Sequence, residues 1–378
     1  MEVTTNIVGQ ECPTTRFVVL RWLFSMATAD LPKREASDSL MLTGFWYRAL
    51  PSENLKSGSL HKATLLEIPL VIGRDRNGKP FALRDACPHR GMPLSCGQFD
   101  GGQVECSYHG WRFDAHSGQC RLIPSLTADQ NLKVERIYAG NYACEEHESF
   151  VWVFIPDPEP AGAGFGARTG PSSDCPHVPT FSEKFKTAYL TADLPCSVDH
   201  GIIGLMDPAH GPFVHQAWWW RSRHSIHEKQ KQFEPIPNGF RMSAHTPSSN
   251  SAPYKLLRMY ADADSITTTI DFVLPNLRYE TIRAGKYWFS SLTTVTPIAR
   301  DHCRIDVVAC WNLFRATPEM QIWFAEQGLP VVINGSSHSG VELPSVDLDY
   351  RATCRHAGST LDDGRYQLAP LYDSGGLA

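Results

Sequence analysis

Cys-Pro-His-Arg-Gly at residues 87–91 and Cys-Ser-Tyr-His-Gly-Trp at residues 106–111 are the stretches that decide the fold of this chain. Each stretch pairs one cysteine with one histidine, and sixteen residues separate the first histidine from the second cysteine. A glycine follows closely behind each histidine and permits a tight turn of the backbone there. The four side chains that could bind a metal are Cys87, His89, Cys106 and His109.

Two thiolates and two imidazoles form a donor set that suits two different metal groups. One is a tetrahedral zinc ion, and the other is a [2Fe–2S] cluster with both cysteines on one iron and both histidines on the other. The glycines at positions 91 and 110 would let the backbone come close to either group and direct amide N–H groups towards it. The donor types alone leave zinc and the cluster open.

The residues around these stretches predict a small all-β domain. Short apolar runs alternate with turn signals from about residue 42 to residue 156. Asn77 and Gly78 lie between the apolar runs 65–72 and 81–83, and Asn-Gly in that position is a strong hairpin signal. Further turns and a buried strand are predicted at residues 100–102, 117–118 and 150–155.

Both stretches, with their flanking glycines, closely resemble the Rieske iron–sulfur motif. The resemblance implies that Cys87, His89, Cys106 and His109 bind a Rieske [2Fe–2S] cluster. Respiratory Rieske proteins carry an additional cysteine in each ligand loop, and Met92 and Tyr108 stand at those positions here. The motif is therefore similar to that of Rieske oxygenases and ferredoxins. Cys96 and Cys120 lie nearby and are predicted to be packed thiols.

A second group of candidate ligands reads Asp-Pro-Ala-His-Gly-Pro-Phe-Val-His at residues 207–215. Two histidines five residues apart would diverge by about 140° on a regular helix, but a glycine and a proline between them favour a distorted turn. About 100 residues downstream of a Rieske motif, this pattern resembles the catalytic domain of Rieske non-haem iron oxygenases. The resemblance implies that His210 and His215 bind a mononuclear Fe(II), which two histidines and one carboxylate commonly hold.

Asp207 has two compatible interpretations. By the same resemblance it is the carboxylate that bridges, across a subunit boundary, from a Rieske histidine to an iron-ligand histidine, where it would fix an imidazole and offer an electron path. Alternatively it is a helix N-cap, a role that Pro208 at the next position favours.

The third iron ligand is less clearly marked. The family places an aspartate on a helix near the C-terminus, often after a glutamine, and no such context occurs here. Asp347 is the predicted ligand, and the other candidates are Asn334, Glu342, Asp349, Asp362 and Asp363. The chain stops resembling the family after about residue 315. A degenerate or frameshifted tail would leave the iron site incomplete.

The predicted fold class is α+β. A Rieske all-β domain precedes a helix-grip catalytic domain, in which helices pack on an antiparallel sheet. The predicted parts are an N-terminal extension 1–41, the Rieske domain 42–156, a linker 157–181, the catalytic domain 182–330 and an atypical tail 331–378. In the catalytic domain a helix is predicted around residues 200–219. Strands are predicted at residues 239–245, 255–261, 266–273, 277–283, 287–297 and 303–314.

Composition limits the compartment and the partners. The chain has 378 residues, 35 Lys and Arg against 40 Asp and Glu, and a net charge of −5, which argues against nucleic-acid binding. No apolar run approaches the roughly 18–20 residues of a membrane-spanning helix. Eleven irregularly spaced cysteines do not suggest a disulfide framework. A cytoplasmic location is therefore expected.

The resemblance implies an oxygenase component of an electron-transfer system. A ferredoxin or flavin reductase fed by NAD(P)H would reduce the cluster, and O₂ would be used to hydroxylate or demethylate a hydrophobic organic substrate. A homotrimer is implied, because the two metals of one subunit lie far apart in this family. The alternative is a Rieske electron-transfer protein with an incomplete, non-catalytic mononuclear iron site. The pattern does not separate mono- from dioxygenation.

Overall fold

The computed structural model describes seven parts of the chain. They are residues 3–5, 41–158, 170–207, 229–245, 266–312, 360–362 and 365–367. These residues divide into two compact units. The first unit contains residues 41–158, 170–177 and 296–303, and the second contains the remaining described residues.

The first unit is built from eleven short strands in three antiparallel sheets. With strands numbered along the whole chain, the sheet orders are β10-β5-β4-β3, β11-β12-β2 and β6-β7-β8-β9. Short 3₁₀ helices cover Ser52–Asn54, Leu94–Cys96 and Val134–Arg136. The strands are β2 (Phe45–Pro51), β3 (Leu60–Leu65), β4 (Ile68–Arg74), β5 (Pro80–Arg84), β6 (Gln98–Phe99), β7 (Gln103–Glu105), β8 (Arg112–Asp114), β9 (Cys120–Leu122), β10 (Asn141–Tyr142), β11 (Cys144–His147) and β12 (Phe150–Ile155).

The Asn-Gly signal marks a real hairpin. β4 pairs antiparallel with β5, and Gly78 in the turn has a φ of +82°. The Asp75 carboxylate accepts the backbone N–H groups of Asn77 and Lys79, both at 2.8 Å, which fixes the turn. The predicted turns at residues 100–102 and 117–118 also lie between paired strands, and the predicted strand 150–155 is β12, buried at every position.

The apolar run 65–72 differs from the expectation. It is not continuous, because Leu66 and Glu67 form a tight turn between β3 and β4 with φ of +52° and +62°. A two-residue hairpin turn of type I′ needs positive φ at both central positions, and sequences normally supply Asn or Gly there. Apolar periodicity gives no sign of a turn made by leucine and glutamate, so the run is split between two strands.

The second unit is dominated by a seven-stranded sheet in the order β13-β20-β19-β18-β17-β16-β15. Its predicted strands are found with small shifts at their ends, except that residues 255–261 lie outside the described residues. β1 (Val3–Thr5) pairs with β14 (Lys229–Lys231). The sheet strands are β13 (Lys186–Leu194), β15 (Phe233–Ile236), β16 (Gly239–His245), β17 (Ile266–Val273), β18 (Leu277–Ala284), β19 (Tyr287–Ala299) and β20 (His302–Trp311).

Helix α1 (Val198–Met206) precedes the second candidate site. It covers the first part of the predicted helix 200–219, and residues 208–228 lie outside the described residues. In the predicted tail the described residues form a small hairpin of β21 (Thr360–Asp362) and β22 (Arg365–Gln367). An antiparallel sheet with a segregated helix confirms the predicted α+β class. None of the described helices has the length and apolar character needed to span a membrane.

Gly97 offers a test of how the ligand-bearing sheet is packed. A Cβ atom at this position would lie 2.0 Å from the backbone oxygen of Glu105, an atom fixed in β7. We expect Gly97→Ala to lower the free energy of unfolding by about 1–3 kcal/mol, the usual range for overpacking. Gly102→Ala is the control, because its Cβ would meet nothing closer than 3.7 Å. Equal thermal melting of the two variants would contradict the packing described.

Candidate metal centre

The two predicted ligand stretches lie in loops of the first unit that adjoin the same four-stranded sheet. Residues 85–97 lead from β5 to β6 and carry Cys87 and His89. Residues 106–111 connect β7 to β8 and carry Cys106 and His109. β6, β7 and β8 pair in succession, so the sheet anchors both ends of the second loop and the C-terminal end of the first loop.

Both loops contain the same hydrogen-bonded turn. In the first, the backbone N–H of Cys87 donates to the oxygen of Met92 and the N–H of Gly91 donates to the oxygen of Cys87, both at 2.8 Å. In the second, the corresponding bonds join Cys106 to Trp111 at 2.8 Å and Gly110 to Cys106 at 3.0 Å. The glycines have φ of +71° and +70°, values that other residues rarely adopt. The two halves of the motif are therefore equivalent in structure.

Polar contacts fasten the loops to the sheet. Asp85 is buried and accepts both the backbone N–H and the hydroxyl of Ser95, each at 2.7 Å. Arg112 and Glu105 are register partners that flank the second loop and form an ion pair at 2.7 Å. The absence of a side chain at Gly97 lets the first loop approach Glu105 closely. None of these supports could be found from the motif, because each joins residues that are distant or unremarkable in the sequence.

The sulfur donors lie at the buried end of the centre. Cys87 and Cys106 are each 2% exposed and belong to the same apolar cluster. Burial, with a contribution from the adjacent Cys106 thiol, raises the pKa of the Cys87 thiol to about 11, although the backbone N–H groups of His89 and Arg90 oppose that rise. A metal must therefore displace a thiol proton to bind here, which is the normal behaviour of cysteine ligands.

The imidazole donors lie at the exposed end. The rings of His89 and His109 are 4.5 Å apart between centroids, and both residues are exposed. Trp111 stacks on His89 at 4.7 Å with an interplanar angle of 2°, and Tyr108 packs against His109 at 4.0 Å. Desolvation lowers the pKa of His89, and the charges of His109 and Arg90 lower it further. The ring is thus neutral at pH 7 and available as a metal donor.

The spread of these donors fits two metal ions better than one. The ligand atoms of a tetrahedral zinc site all lie within about 4 Å of one another, given zinc–ligand distances of about 2.0–2.3 Å. Among the described residues, the group of three or more donors whose ligand atoms all lie within 4.8 Å of one another is Glu145, His147 and Cys175, and not the Cys₂His₂ set. Paired thiols at one end and paired imidazoles at the other match a cluster with Cys₂ on one iron and His₂ on the second.

The remaining predicted site residues lie in the second unit or outside the described residues. His210, His215 and Asp347 lie outside the described residues. Asp207 is the residue that directly follows α1, and its backbone N–H donates to Ile203 at 2.9 Å. Asp207 thus lies at the C-terminal end of α1. The N-cap interpretation concerns a helix that would begin after Asp207, outside the described residues. Trp111 was also assigned no role from the sequence, although this aromatic residue is the last residue of the second stretch.

Comparison with known proteins identifies the class of the first unit. Residues 45–138 match the family model described as "Rieske [2Fe-2S] domain". This chain therefore contains a Rieske [2Fe–2S] domain, and the cofactor of such a domain is a [2Fe–2S] cluster and not a zinc ion.

The chain is similar in sequence to proteins that are named as oxygenases. It is 31% identical over 270 residues to "Chlorophyllide a oxygenase, chloroplastic" of Chlamydomonas reinhardtii, covering 70% of this chain and 37% of that protein. It is 30% identical over 176 residues to "Dicamba O-demethylase, oxygenase component" of Stenotrophomonas maltophilia, covering 46% of this chain and 47% of that protein. The chain spans about a third of the length of the first curated relatives it matches.

Two solved structures share the fold of the chain. Dicamba monooxygenase bound to dicamba matches with a TM-score of 0.58 and 20% identity over 86% of this chain and 92% of that chain. The Pseudomonas putida CBB5 NdmA QL mutant with theobromine matches with a TM-score of 0.58 and 16% identity over 84% of this chain and 92% of that chain. At these identities the likeness establishes the fold, and it confirms the predicted order of a Rieske domain and an α+β unit with an antiparallel sheet.

Replacing one imidazole with a thiolate tests the ligand assignment. His109→Cys adds a negative charge next to the irons and favours the oxidised cluster. We expect its reduction potential to fall towards the all-cysteine range, by about 0.25 V or more. Tyr108→Phe is the control, because it keeps the ring against His109 and all four ligands. An EPR-monitored redox titration in which both variants have the potential of the unaltered protein would exclude His109 as a ligand.

Proposed function

We propose that this protein is a Rieske-type oxygenase component, an oxidoreductase that uses O₂ and externally supplied electrons to hydroxylate or demethylate a hydrophobic organic substrate. The observation that carries the proposal is the combination within one chain of a Rieske centre and a second unit with a seven-stranded antiparallel sheet. The shared fold extends over most of the length of solved Rieske oxygenases. A Rieske domain on its own would account for the first unit only.

The exposed histidine end of the centre is where electrons would enter. His89 and His109 lie at the surface, whereas both thiols are buried. An electron donor could therefore approach the histidine-bound iron closely without any rearrangement of the core. The proposed donor is a ferredoxin or flavin reductase fed by NAD(P)H, because no dinucleotide-binding glycine motif occurs in the sequence.

The proposed second metal is a mononuclear Fe(II) held by His210, His215 and Asp347. A neutral His₂ pair with one carboxylate leaves coordination positions open, and when bound the iron supplies O₂ activation. Asp207 is proposed to orient an iron-ligand imidazole and to bridge towards a Rieske histidine of a neighbouring subunit, since a carboxylate fixes the tautomer of the ring that it accepts from. The proposed assembly is accordingly a homotrimer.

The substrate class is proposed from the family and not from a pocket. The relatives carry names for different substrates, such as "4beta-methylsterol monooxygenase" of Methylococcus capsulatus, 31% identical over 130 residues. The substrates in these names are organic molecules with large apolar parts, which supports a hydrophobic substrate here. Mono- and dioxygenation are both compatible with a His₂-carboxylate iron.

We also propose the division into an N-terminal extension 1–41, Rieske domain 42–156, linker 157–181, catalytic domain 182–330 and tail 331–378. A reducing compartment suits the nine described cysteines, none of which is in a disulfide bond. The cytoplasm is the proposed location, although several relatives are named as chloroplastic proteins. A plastid stroma would be equally reducing for these thiols.

The alternative function is electron transfer by a Rieske protein whose mononuclear iron site is incomplete. The atypical tail favours it, because no Gln-Asp context marks the third ligand in the sequence. The two functions differ in the mononuclear iron. An oxygenase binds an Fe(II) with open positions, and the carrier does not.

Nitric oxide binding tests the proposed function before any substrate is known. Added anaerobically to the iron-loaded protein, nitric oxide should give the EPR signal of a high-spin iron–nitrosyl, which requires mononuclear Fe(II) with an open position. His210→Ala should abolish this signal and leave the Rieske signal unchanged. A normal Rieske signal without any nitrosyl signal in the unaltered protein would reject the oxygenase proposal and favour the electron carrier.

Iron counting tests Asp347 as the third ligand. Two neutral imidazoles hold Fe(II) less tightly than two imidazoles and a carboxylate. We expect Asp347→Ala to lose the mononuclear iron while the visible spectrum of the Rieske cluster stays intact. Asp349→Ala is the matched control. Full iron occupancy in both variants would remove Asp347 and direct the search to Asp362 or Asp363.

Asp207→Asn tests the bridging role. The amide is nearly the same size as the carboxylate but has no charge. We expect both metals to remain bound and the oxidation of the reduced cluster by O₂ to slow strongly. Asp199→Asn is the control, since Asp199 lies in the first turn of the same helix. Normal oxidation kinetics in Asp207→Asn would leave Asp207 with a capping role only.

A further inference from the structure

A second group of metal-binding side chains lies in the first unit, away from the Rieske ligand loops in sequence. Glu145, His147 and Cys175 each offer one donor atom, and these three atoms all lie within 4.8 Å of one another. The ring Nε2 of His147 is 2.8 Å from a carboxylate oxygen of Glu145. Carboxylate, imidazole and thiolate are the three donor types that proteins use for zinc.

Strand geometry accounts for two of the three donors. Glu145 and His147 are two residues apart on β11 and therefore point to the same face of the β11-β12-β2 sheet. Cys144 and Glu146 alternate with them along the strand and point to the opposite face. Cys144 packs against the apolar core, and Glu146 forms an ion pair with Arg74 at 2.6 Å. The donor pair thus lies on the opposite face of the sheet from Cys144, beside the buried cross-strand partners Trp152 and Phe150.

Residues 170–177 bring the third donor to that face. Trp46, on β2 of the same sheet, donates its indole N–H to the backbone oxygen of Ser173 at 2.9 Å. Two residues later Cys175 is only 4% exposed, so this segment covers the sheet and buries the thiol. Glu145 and His147 keep side-chain exposures of 48% and 29%, which leaves a path by which a cation could enter.

We propose that Glu145, His147 and Cys175 form a zinc site, with water as the fourth ligand, that fastens residues 170–177 to strand β11. The charges balance, because one thiolate and one carboxylate neutralise Zn²⁺ and the imidazole binds in its neutral form. Hard cations such as Mg²⁺ and Ca²⁺ prefer oxygen donors only, so the thiolate and imidazole select against them.

The environment of Cys175 favours a ligand over a nucleophile. Burial, followed by the charges of Glu145 and Glu148, raises the pKa of the thiol far above its usual range, and Arg48 opposes this only in part. A reactive cysteine needs a lowered pKa, so this thiol is not activated for chemistry. Zn²⁺ would displace its proton on binding and would offset the repulsion from both carboxylates.

A second imidazole lies beside the group. The ring of His177 is 4.3 Å from that of His147 between centroids, and its Nδ1 is 3.9 Å from Glu148. His177 is outside the 4.8 Å group, so the fourth ligand is assigned to water. A bound ion that links a segment to a strand stabilises the folded state in proportion to its affinity for that state. Zinc removal should therefore lower the melting temperature of the first unit.

The experiment uses the full-length protein with its Rieske cluster intact. Zinc is stripped with a mild chelator, Co²⁺ is added, and the thiolate-to-cobalt charge-transfer absorption is followed, with zinc competition as the reverse titration. We expect one such site per chain in the unaltered protein. Cys175→Ser should lose the band, and His147→Ala should bind Co²⁺ at least tenfold more weakly. Cys96→Ser, at an exposed thiol outside the group, and Glu146→Gln, on the opposite face of β11, should leave the band unchanged.

Zinc X-ray absorption on the unaltered protein provides a measurement that needs no variant. It should show one sulfur at about 2.3 Å together with nitrogen and oxygen donors. The proposal is overturned if no sulfur is found, or if Cys175→Ser retains the full cobalt band. It is also overturned if the unaltered protein binds neither metal, in which case the three side chains form only a polar cluster under the segment.

Discussion

The equivalence of the two ligand loops is the constraint on which the rest of the structure depends. Each loop is closed by two backbone hydrogen bonds, one between residues five apart and one between residues four apart. Each loop also requires a positive φ at its glycine. This geometry keeps two thiols in the core and two imidazoles at the surface. A cluster held by these four side chains would have chemically different ends, with the histidine-bound iron towards the solvent and the cysteine-bound iron in the core.

The small sheets serve mainly to hold these loops. β7 and β8 fix the second loop at both ends, and Asp85 ties the first loop to Ser95 through two hydrogen bonds. Stacking of Trp111 on His89 joins one loop to the other. The first unit therefore provides a rigid electron-transfer site, and the proposed chemistry on a substrate belongs to the second unit with its seven-stranded sheet.

Sequence patterns within short segments predicted the turns and strands whose formation depends on neighbouring residues. The Asn-Gly turn, the buried strand β12 and most strands of the large sheet have clear apolar patterns. The turn at Leu66 and Glu67 could not be predicted, because neither residue favours positive φ. Contacts between distant segments, such as Cys175 with β11 or Gly97 with Glu105, have no spacing signature at all. The iron ligands His210, His215 and Asp347 remain predictions.

Chemical analysis of iron and acid-labile sulfide, on protein purified anaerobically and then reduced for EPR, tests the central claim most directly. The account predicts two sulfides per chain, two irons that belong to the cluster and a reduced signal with the low average g of a His₂Cys₂ cluster. Zinc bound by Cys87, His89, Cys106 and His109, without labile sulfide and without a reduced EPR signal, would contradict it.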